Sequence, residues 1–127
     1  MTLEQNKALA TRMLDWWVGG DVSVIDETNA ADFVSHSSDG GGTNGRDAYK
    51  DRLSGFIGLF SDRTIEIEDV IAEGDKVVVR YSWGGVAPGN RQVNSKSMAI
   101  YRIVGGKIAE EWEEHDTRGL GEQLGMS

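Results

Sequence analysis

The hydrophobic residues of this chain change their spacing near its middle, and this change limits the folds available to it. In segments 3–18 and 46–60 they recur every three or four positions, as on one side of an amphipathic helix. In segments 63–73, 76–84 and 92–104 apolar and polar residues alternate, as in strands with one buried face. Helices followed by consecutive antiparallel strands indicate an α+β domain, so we predict N-terminal helices packed on a strongly curved, mainly antiparallel sheet.

Capping and turn residues set the predicted boundaries. Thr2 is available to cap the first helix, and Gly19 with Gly20 ends it. Tight turns at Glu73-Gly74-Asp75 and Gly105-Gly106 join neighbouring strands into hairpins. The other predicted elements are a short helix over 21–28, a strand over 31–37, a loop over 37–45, a last strand over 107–116 and a glycine-rich tail over 117–127.

Size and charge exclude several classes of function. The 127 residues can bury one hydrophobic core, so we predict a single domain over 1–127. A formal net charge of −8 leaves no basic patch for phosphates, which argues against nucleic acids and membrane surfaces as partners. Without cysteine the chain has no thiolate nucleophile and no zinc–sulfur site. The N-terminus lacks the apolar run of a signal peptide, and we expect a cytoplasmic location.

Acidic residues crowd the last predicted strand. If that strand is regular, one face carries Ile108, Glu110, Trp112, Glu114 and Asp116, and the other carries Ala109, Glu111, Glu113 and His115. The face with Ile108 and Trp112 is expected to line a cavity, with Asp116 at its end. Apolar walls disfavour the charged form of a carboxyl group, which suits general acid/base work by Asp116. We interpret Glu111, Glu113 and Glu114 as solvated, and expect His115 on the outer face.

Several segments of the chain resemble the SnoaL-like polyketide cyclases, or ester cyclases, of the nuclear transport factor 2-like superfamily. The most specific matches are Gly74-Asp75 with the apolar strand after it, Arg102-Ile103 with Gly106-Lys107-Ile108, the spacing of Glu110, Trp112 and Asp116, and Gln123-Leu124-Gly125. The resemblance implies a cone-shaped α+β barrel, commonly homodimeric, that works without a metal or an organic cofactor. It also implies that Asp116 stands where the cyclases carry the acid/base aspartate of an intramolecular aldol closure. The cyclases have a histidine three residues before the arginine of the Arg-Ile pair, where this chain has Ala99.

A second group of residues completes the predicted site. His36 could supply the imidazole that is missing at Ala99, or could be a surface or structural histidine. Strand phases place aromatic residues in the cavity together with Trp16 or Trp17 of the first helix, although ordinary core packing is the alternative for each. The predicted substrate-binding residues are Tyr101, Trp112, Trp83, Tyr81, Trp17, Glu110 and Ala99. Several aromatic rings together favour a flat, apolar or polycyclic ligand. No spacing of histidines and acids suggests a metal site.

Three functions stay open from the sequence. The first is a cofactor-free cyclase, isomerase or lyase in which Asp116, helped by His36 or Tyr101, moves a proton on an apolar carbonyl compound. The second is a binding protein that holds a small apolar or aromatic molecule unchanged, which Ala99 favours. The third is epoxide opening, which needs an acid and an arginine deep in the cavity, whereas Arg80 and Arg102 are expected to face outward. Alternating apolar residues on that outer face predict a homodimer.

Overall fold

A computed structural model describes residues 1–38 and 40–125. In these ranges the helices are α1 Leu3–Met13, α2 Asp15–Gly19, α3 Val24–Thr28, α4 Arg46–Leu59 and α5 Thr117–Gln123. The strands are β1 Asn29–Ser37, β2 Thr43–Asn44, β3 Ser61–Glu73, β4 Lys76–Ala87, β5 Arg91–Val104 and β6 Lys107–His115. The α+β class predicted from the change in hydrophobic spacing is therefore confirmed.

The six strands form one sheet in the order β2-β1-β6-β5-β4-β3. Strands β3 to β6 follow one another as antiparallel hairpins, whereas β1 pairs with β6 in parallel. Strands β2 and β3 lie at the two edges, so the sheet is curved but open. The parallel pair between β1 and β6 brings the first strand of the chain beside the last one, which the alternation of residues did not predict.

The first predicted helix is divided into two. Thr2 caps α1 as expected: its side chain accepts a hydrogen bond from the Gln5 amide at 3.1 Å, and the Gln5 side chain accepts one from the Thr2 amide at 2.8 Å. Near the other end, the Thr11 hydroxyl bonds back to the carbonyl groups of Lys7 and Ala8, and the Leu14 amide bonds to Thr11. Such back-bonding bends helices, and it accounts for the break between α1 and α2.

The main core lies between the N-terminal helices and one face of the sheet. Its fully buried side chains include Met13, Ile25, Phe33, Tyr49 and Tyr101. The ring centroids of Phe33 and Tyr49 lie 4.8 Å apart, so β1 and α4 are joined through these two rings. This packing fixes α4 over the sheet, and α4 contributes side chains to the cavity described below.

The predicted loop and tail contain short ordered elements. Within the segment 37–45, β2 pairs with Val34 and Ser35 of β1. The segment 117–127 begins with α5 instead of continuing as an irregular tail. Asp39 of the predicted loop and residues 126–127 of the predicted tail lie outside the described residues. In the part of the chain that is described, no helix combines the length and apolar character needed to cross a membrane.

Candidate functional site

An extra residue in β6 decides which of its acidic side chains face the interior. Arg102 of β5 pairs with Glu110, but the next residue, Ile103, pairs with Ile108, so Ala109 has no partner of its own. Such a bulge shifts the alternation by one residue, and every side chain beyond it moves to the opposite face of the sheet. The prediction from a regular strand is therefore wrong beyond Ile108.

The bulge turns Glu111, Glu113 and His115 inward. Glu111 is completely buried, and the side chains of Glu113 and His115 are only 11% and 18% exposed. The expectation that Glu111 and Glu113 are solvated and that His115 lies on the outer face is thus corrected. Glu114 is exposed, as predicted.

The predicted pair of Asp116 and His36 does not meet in a cavity. Asp116 is exposed, and its carboxylate caps α5 by accepting a hydrogen bond from the Gly119 amide at 2.9 Å. The His36 side chain is 47% exposed on the outer face, where its Nε2 lies 2.6 Å from Oε2 of Glu110 and its ring stacks on Trp112. Glu110 and Trp112 therefore face outward as well, because of the same bulge.

The predicted aromatic residues divide between the core and the cavity. Tyr101 and Ala99 are buried in the main core and do not line the cavity. Trp17, Tyr81 and Trp83 do line it, in agreement with their predicted orientation.

A cavity of about 100 Å³ lies between the helices and the inner face of the sheet. Its walls are mainly apolar, with Leu14, Trp16, Trp17, Phe56, Trp83 and Leu120 among them. Polar groups gather on one side, contributed by Tyr49, Arg52, Glu113, His115 and Thr117. An apolar cavity with a few convergent polar groups is the usual form of a small-molecule site.

Glu113 is the centre of the polar side. Its Oε2 lies 2.7 Å from Nε2 of His115, and its Oε1 accepts a hydrogen bond from the Tyr49 hydroxyl at 3.3 Å. Burial opposes the ionisation of Glu113, but the neighbouring Glu111 and His115 groups and the charge of Arg52 outweigh it. The pKa of Glu113 is thereby lowered to about 2, so that this residue is a carboxylate at neutral pH.

Glu111 behaves in the opposite way. Burial raises its pKa well above the usual range, and the negative charge of Glu113 raises it further. Ser35 donates a hydrogen bond to its Oε1 at 2.8 Å, whereas Oε2 has no partner of full hydrogen-bond geometry among the described residues. Glu113 has both Glu111 and His115 as neighbours. Glu111 thus remains a neutral acid behind an ionised one.

The tyrosines around the cavity are neutral hydroxyl groups. Burial raises the pKa of Tyr49 and of Tyr81 well above the usual value, and the nearby charges of Glu111 and Glu113 act in the same direction. A neutral phenol can donate a hydrogen bond. Tyr49 is therefore available as a donor to Glu113 or to an oxygen atom of a bound molecule.

Glu111 should make the free energy of unfolding depend on pH. In the folded protein it keeps its proton above the ordinary carboxyl pKa of 4.5, while in the unfolded chain it releases the proton near that value. Stability contributed by the folded protonated form is therefore lost as pH rises above about 4.5. Because glutamine cannot ionise, Glu111→Gln is expected to lose less stability than the wild type as pH rises above about 4.5. Urea unfolding at several pH values measures this difference.

The matched control for that experiment is Glu114→Gln, the same change on the exposed face of β6. It should keep the pH dependence of the wild type. Equal pH dependence in Glu111→Gln and the wild type would contradict the assignment of Glu111 as a buried neutral acid.

Sequence reasoning missed the residues that α4 and β6 bring together. Glu113 and His115 are two positions apart and were correctly placed on a common face of the strand, but that face was assigned to the outside. Tyr49 and Arg52 are three positions apart on α4, a spacing that places them on one side of a helix. The sequence contains this spacing, but only the packing of α4 over β6 shows that the two residues belong to the site.

Comparison with known proteins identifies relatives of the whole chain. The family model of the SnoaL-like polyketide cyclases matches residues 7–124. No curated protein matches the chain.

Three solved structures show the likeness in three dimensions. AclR, a putative hydroxylase from Streptomyces galilaeus, is 27% identical, with a TM-score of 0.86 and 99% of each chain covered. A putative polyketide cyclase from Bacillus cereus is 28% identical, with a TM-score of 0.86, 96% of this chain and 81% of that chain covered. TsrD from Streptomyces laurentii, at 21% identity, shares the fold with a TM-score of 0.88 over 100% of this chain and 99% of its own.

Proposed function

The chain belongs to the family of SnoaL-like polyketide cyclases, and from this membership and its cavity we propose that it is a cofactor-free proton-transfer enzyme. The proposed reaction is of the cyclase or isomerase type, and the substrate is a small, largely apolar carbonyl compound. Glu113 is the proposed acid/base residue in place of Asp116. The observation that carries the proposal is an ionised carboxylate, held by His115 and Tyr49, at the polar side of an otherwise apolar cavity.

The first step of the proposed reaction is the transfer of a proton from carbon to Glu113. The electron pair of the broken C–H bond moves toward the neighbouring carbonyl group and forms an enolate. The enolate then takes the proton back from Glu113 at another atom. Alternatively, its carbon attacks a second carbonyl group and closes a ring, and the alkoxide so formed takes the proton from Glu113. The Tyr49 hydroxyl and the Arg52 guanidinium line the same cavity and can stabilise the negative oxygen.

The low basicity of Glu113 narrows the choice of substrate. A carboxylate with a pKa of about 2 is always ionised near neutral pH, but it is a weak base. It suits a C–H group that is already acidic, such as a carbon between two carbonyl groups. The cavity of about 100 Å³ is also smaller than the roughly 300–1,000 Å³ of sites for drug-sized ligands. The proposal therefore replaces the predicted polycyclic ligand by a compound that places no more than two fused rings or a short chain inside.

A nitrobenzisoxazole tests the proton-transfer activity without knowledge of the natural substrate. This flat apolar molecule opens irreversibly to a coloured phenolate when a base removes one C–H proton. We expect saturable ring opening that depends on the Glu113 carboxylate. Saturable binding without ring opening would instead support the second function considered above, a protein that holds a small molecule unchanged.

Epoxide hydrolysis is a second candidate because an arginine and an acid do line the cavity. As expected, Arg80 and Arg102 lie outside, where Arg80 pairs with Glu68 and Asp69 and Arg102 pairs with Glu110. Arg52 supplies the guanidinium that these two do not. Formation of a diol from styrene oxide would support this candidate, whereas ring opening of the nitrobenzisoxazole alone would support proton transfer.

The proposal includes a homodimer that covers the outer face of the sheet. Ile71, Val78, Ile100 and Trp112 are cross-strand neighbours and form one apolar row over β3, β4, β5 and β6. Ile71 is 62% exposed and Ile100 is 37% exposed. Contiguous exposed apolar surface of this kind is typical of protein contacts, and a second copy would bury it in a symmetric contact.

Light scattering at micromolar concentration is expected to give the mass of a dimer. Ile100→Lys places a charge in the apolar row and should shift the protein toward monomer. Gln92→Lys adds the same charge to an exposed position of β5 outside the row, and should leave the dimer intact. A monomeric wild type, or equal dissociation in both variants, would contradict the proposed contact.

A further inference from the structure

A chain of hydrogen bonds connects the cavity wall to Glu113 through the sheet. The indole Nε1 of Trp83 donates to the Ser97 hydroxyl at 3.2 Å. The same hydroxyl oxygen lies 2.7 Å from Nδ1 of His115. His115 Nε2 in turn lies 2.7 Å from Oε2 of Glu113. Trp83, His115 and Glu113 line the cavity, whereas Ser97 is buried behind it.

The donors and acceptors of this chain can be assigned from its two ends. The Glu113 carboxylate can only accept, so Nε2 of His115 carries a proton. In the neutral imidazole Nδ1 is then an acceptor, and its partner must donate. The Trp83 indole can only donate, so it occupies one lone pair of the Ser97 oxygen. The neutral Tyr81 hydroxyl also interacts with Ser97 and can donate to the other lone pair, which leaves the hydroxyl hydrogen of Ser97 for Nδ1. Every hydrogen bond therefore runs in one direction, from Trp83 to Glu113.

We propose that Ser97 is a positioning residue that, together with the Glu113 carboxylate, holds His115 as the Nε2–H tautomer with this hydrogen directed at Glu113, and that Trp83 in turn directs the Ser97 hydroxyl. The importance of this role for catalysis rests on the proposed function of Glu113. A tautomer fixed by the partner of the other ring nitrogen is a general property of functional histidines. Ser97 itself does not touch the cavity, so it acts on a substrate only through His115.

The position of Trp83 allows a bound molecule to contact this chain of hydrogen bonds. The indole is a wall of the cavity and packs edge-on against Trp17, with 5.3 Å between the ring centroids. A molecule that packs on the indole is thus separated from the Glu113 carboxylate by Ser97 and His115 only. Filling the cavity and orienting the acid/base residue are coupled through these bonds.

Ser95 provides an internal comparison for Ser97. It lies two positions earlier on the same face of β5 and is also buried, at 6% exposure against 4% for Ser97. Its hydroxyl has no hydrogen-bond partner among the described residues, and it does not reach His115. Replacing either serine by alanine removes the same hydroxyl from the same face of the same strand, but only one replacement breaks the chain.

Nitrogen NMR of labelled protein tests the proposal without any substrate, because the two ring nitrogens of a neutral histidine report which of them carries the proton. In the wild type we expect His115 to be almost entirely the Nε2–H tautomer. In Ser97→Ala the ring keeps only Glu113 as its partner, so we expect a shifted Nδ1 signal, a detectable fraction of the Nδ1–H tautomer and a shifted Trp83 indole signal. Ser97→Thr keeps a hydroxyl and should restore the wild-type signals, and Ser95→Ala should not change them.

Two outcomes would overturn the proposal. One is a wild-type His115 that carries its proton on Nδ1, and the other is a Ser97→Ala variant with wild-type histidine signals. If Ser97→Ala does not fold, Trp83→Phe is the alternative variant, because it keeps an aromatic ring and removes the indole N–H donor. A wild-type His115 tautomer together with an undisturbed Ser97 hydroxyl in this variant would contradict the role of Trp83.

Ring opening of the nitrobenzisoxazole provides the second measurement. We expect Ser97→Ala to lower its kcat by about tenfold or more, and Ser97→Thr to restore it. Suppose that the His115 tautomer changes in Ser97→Ala, but that opening of the nitrobenzisoxazole does not depend on Glu113. This result would refute the proposed function but leave the role of Ser97 intact. A normal tautomer in an active Ser97→Ala protein would refute only the role of Ser97.

Discussion

Glu113→Gln is expected to lower the kcat for ring opening of the nitrobenzisoxazole by about 10²- to 10⁴-fold, the range of a lost general base. Glutamine has the size of glutamate and can still accept a hydrogen bond from Nε2 of His115, so the shape of the cavity should be kept. It cannot take up a proton from carbon, because its amide is not basic. The measurement is the initial rate of phenolate formation over a range of substrate concentrations, which separates kcat from KM.

Asp116→Asn is the comparison variant that distinguishes Glu113 from Asp116 as the acid/base residue. The resemblance in sequence implies the acid/base role for Asp116, but Asp116 is exposed and caps α5. Asparagine is also a good capping residue, so both folding and activity should stay near those of the wild type. If Asp116→Asn lost the activity and Glu113→Gln kept it, the bulged strand would not define the site, and the resemblance in sequence would be the better guide.

Phe33→Ala is expected to lower the free energy of unfolding by about 3–5 kcal/mol, the usual cost of removing a fully buried aromatic side chain. Phe33 has no exposed surface and packs on the ring of Tyr49, whose hydroxyl is a partner of Glu113. The substitution leaves a cavity between β1 and α4, because the surrounding sheet can close it only in part. Urea unfolding should show a lower midpoint with an unchanged slope.

Phe56→Ala removes the same kind of side chain from α4 and serves as the control. Phe56 is half-buried at the cavity, with the Arg52 guanidinium over its ring, so its loss exposes less new apolar surface. The stability loss should be clearly smaller. All variants need the same protein concentration, because a dimer unfolds in a concentration-dependent way. Equal losses for both variants would show that Phe33 is not the anchor of α4.

Much of the fold can be predicted because its elements follow from local patterns. The spacing of apolar residues identifies the helices and strands, and Thr2 caps α1 as its chemistry suggests. The inward orientation of Trp17, Tyr81 and Trp83 was also predicted correctly, since β4 alternates regularly through its central part and α2 presents one apolar side. These residues follow the helical or strand periodicity of apolar residues in the sequence.

The polar side of the site could not be predicted in the same way. A single extra residue at Ala109 reverses the orientation of Glu111, Glu113 and His115, and nothing in the sequence near Ala109 marks it. The bulge depends on how β6 pairs with β5 on one side and with β1 on the other, which are contacts between distant parts of the chain.

The sequence by itself determined the elements, the α+β class and the acid-rich strand that carries the site, because periodicity, capping and turns act over a few neighbouring residues. Only the tertiary structure decided that Glu113, and not Asp116, faces the cavity, and that Tyr49, Arg52, Ser97 and Trp83 surround it. The physical reason is the twofold alternation of a strand: a shift of one residue in the pairing exchanges its two faces, and that shift is set by neighbouring strands.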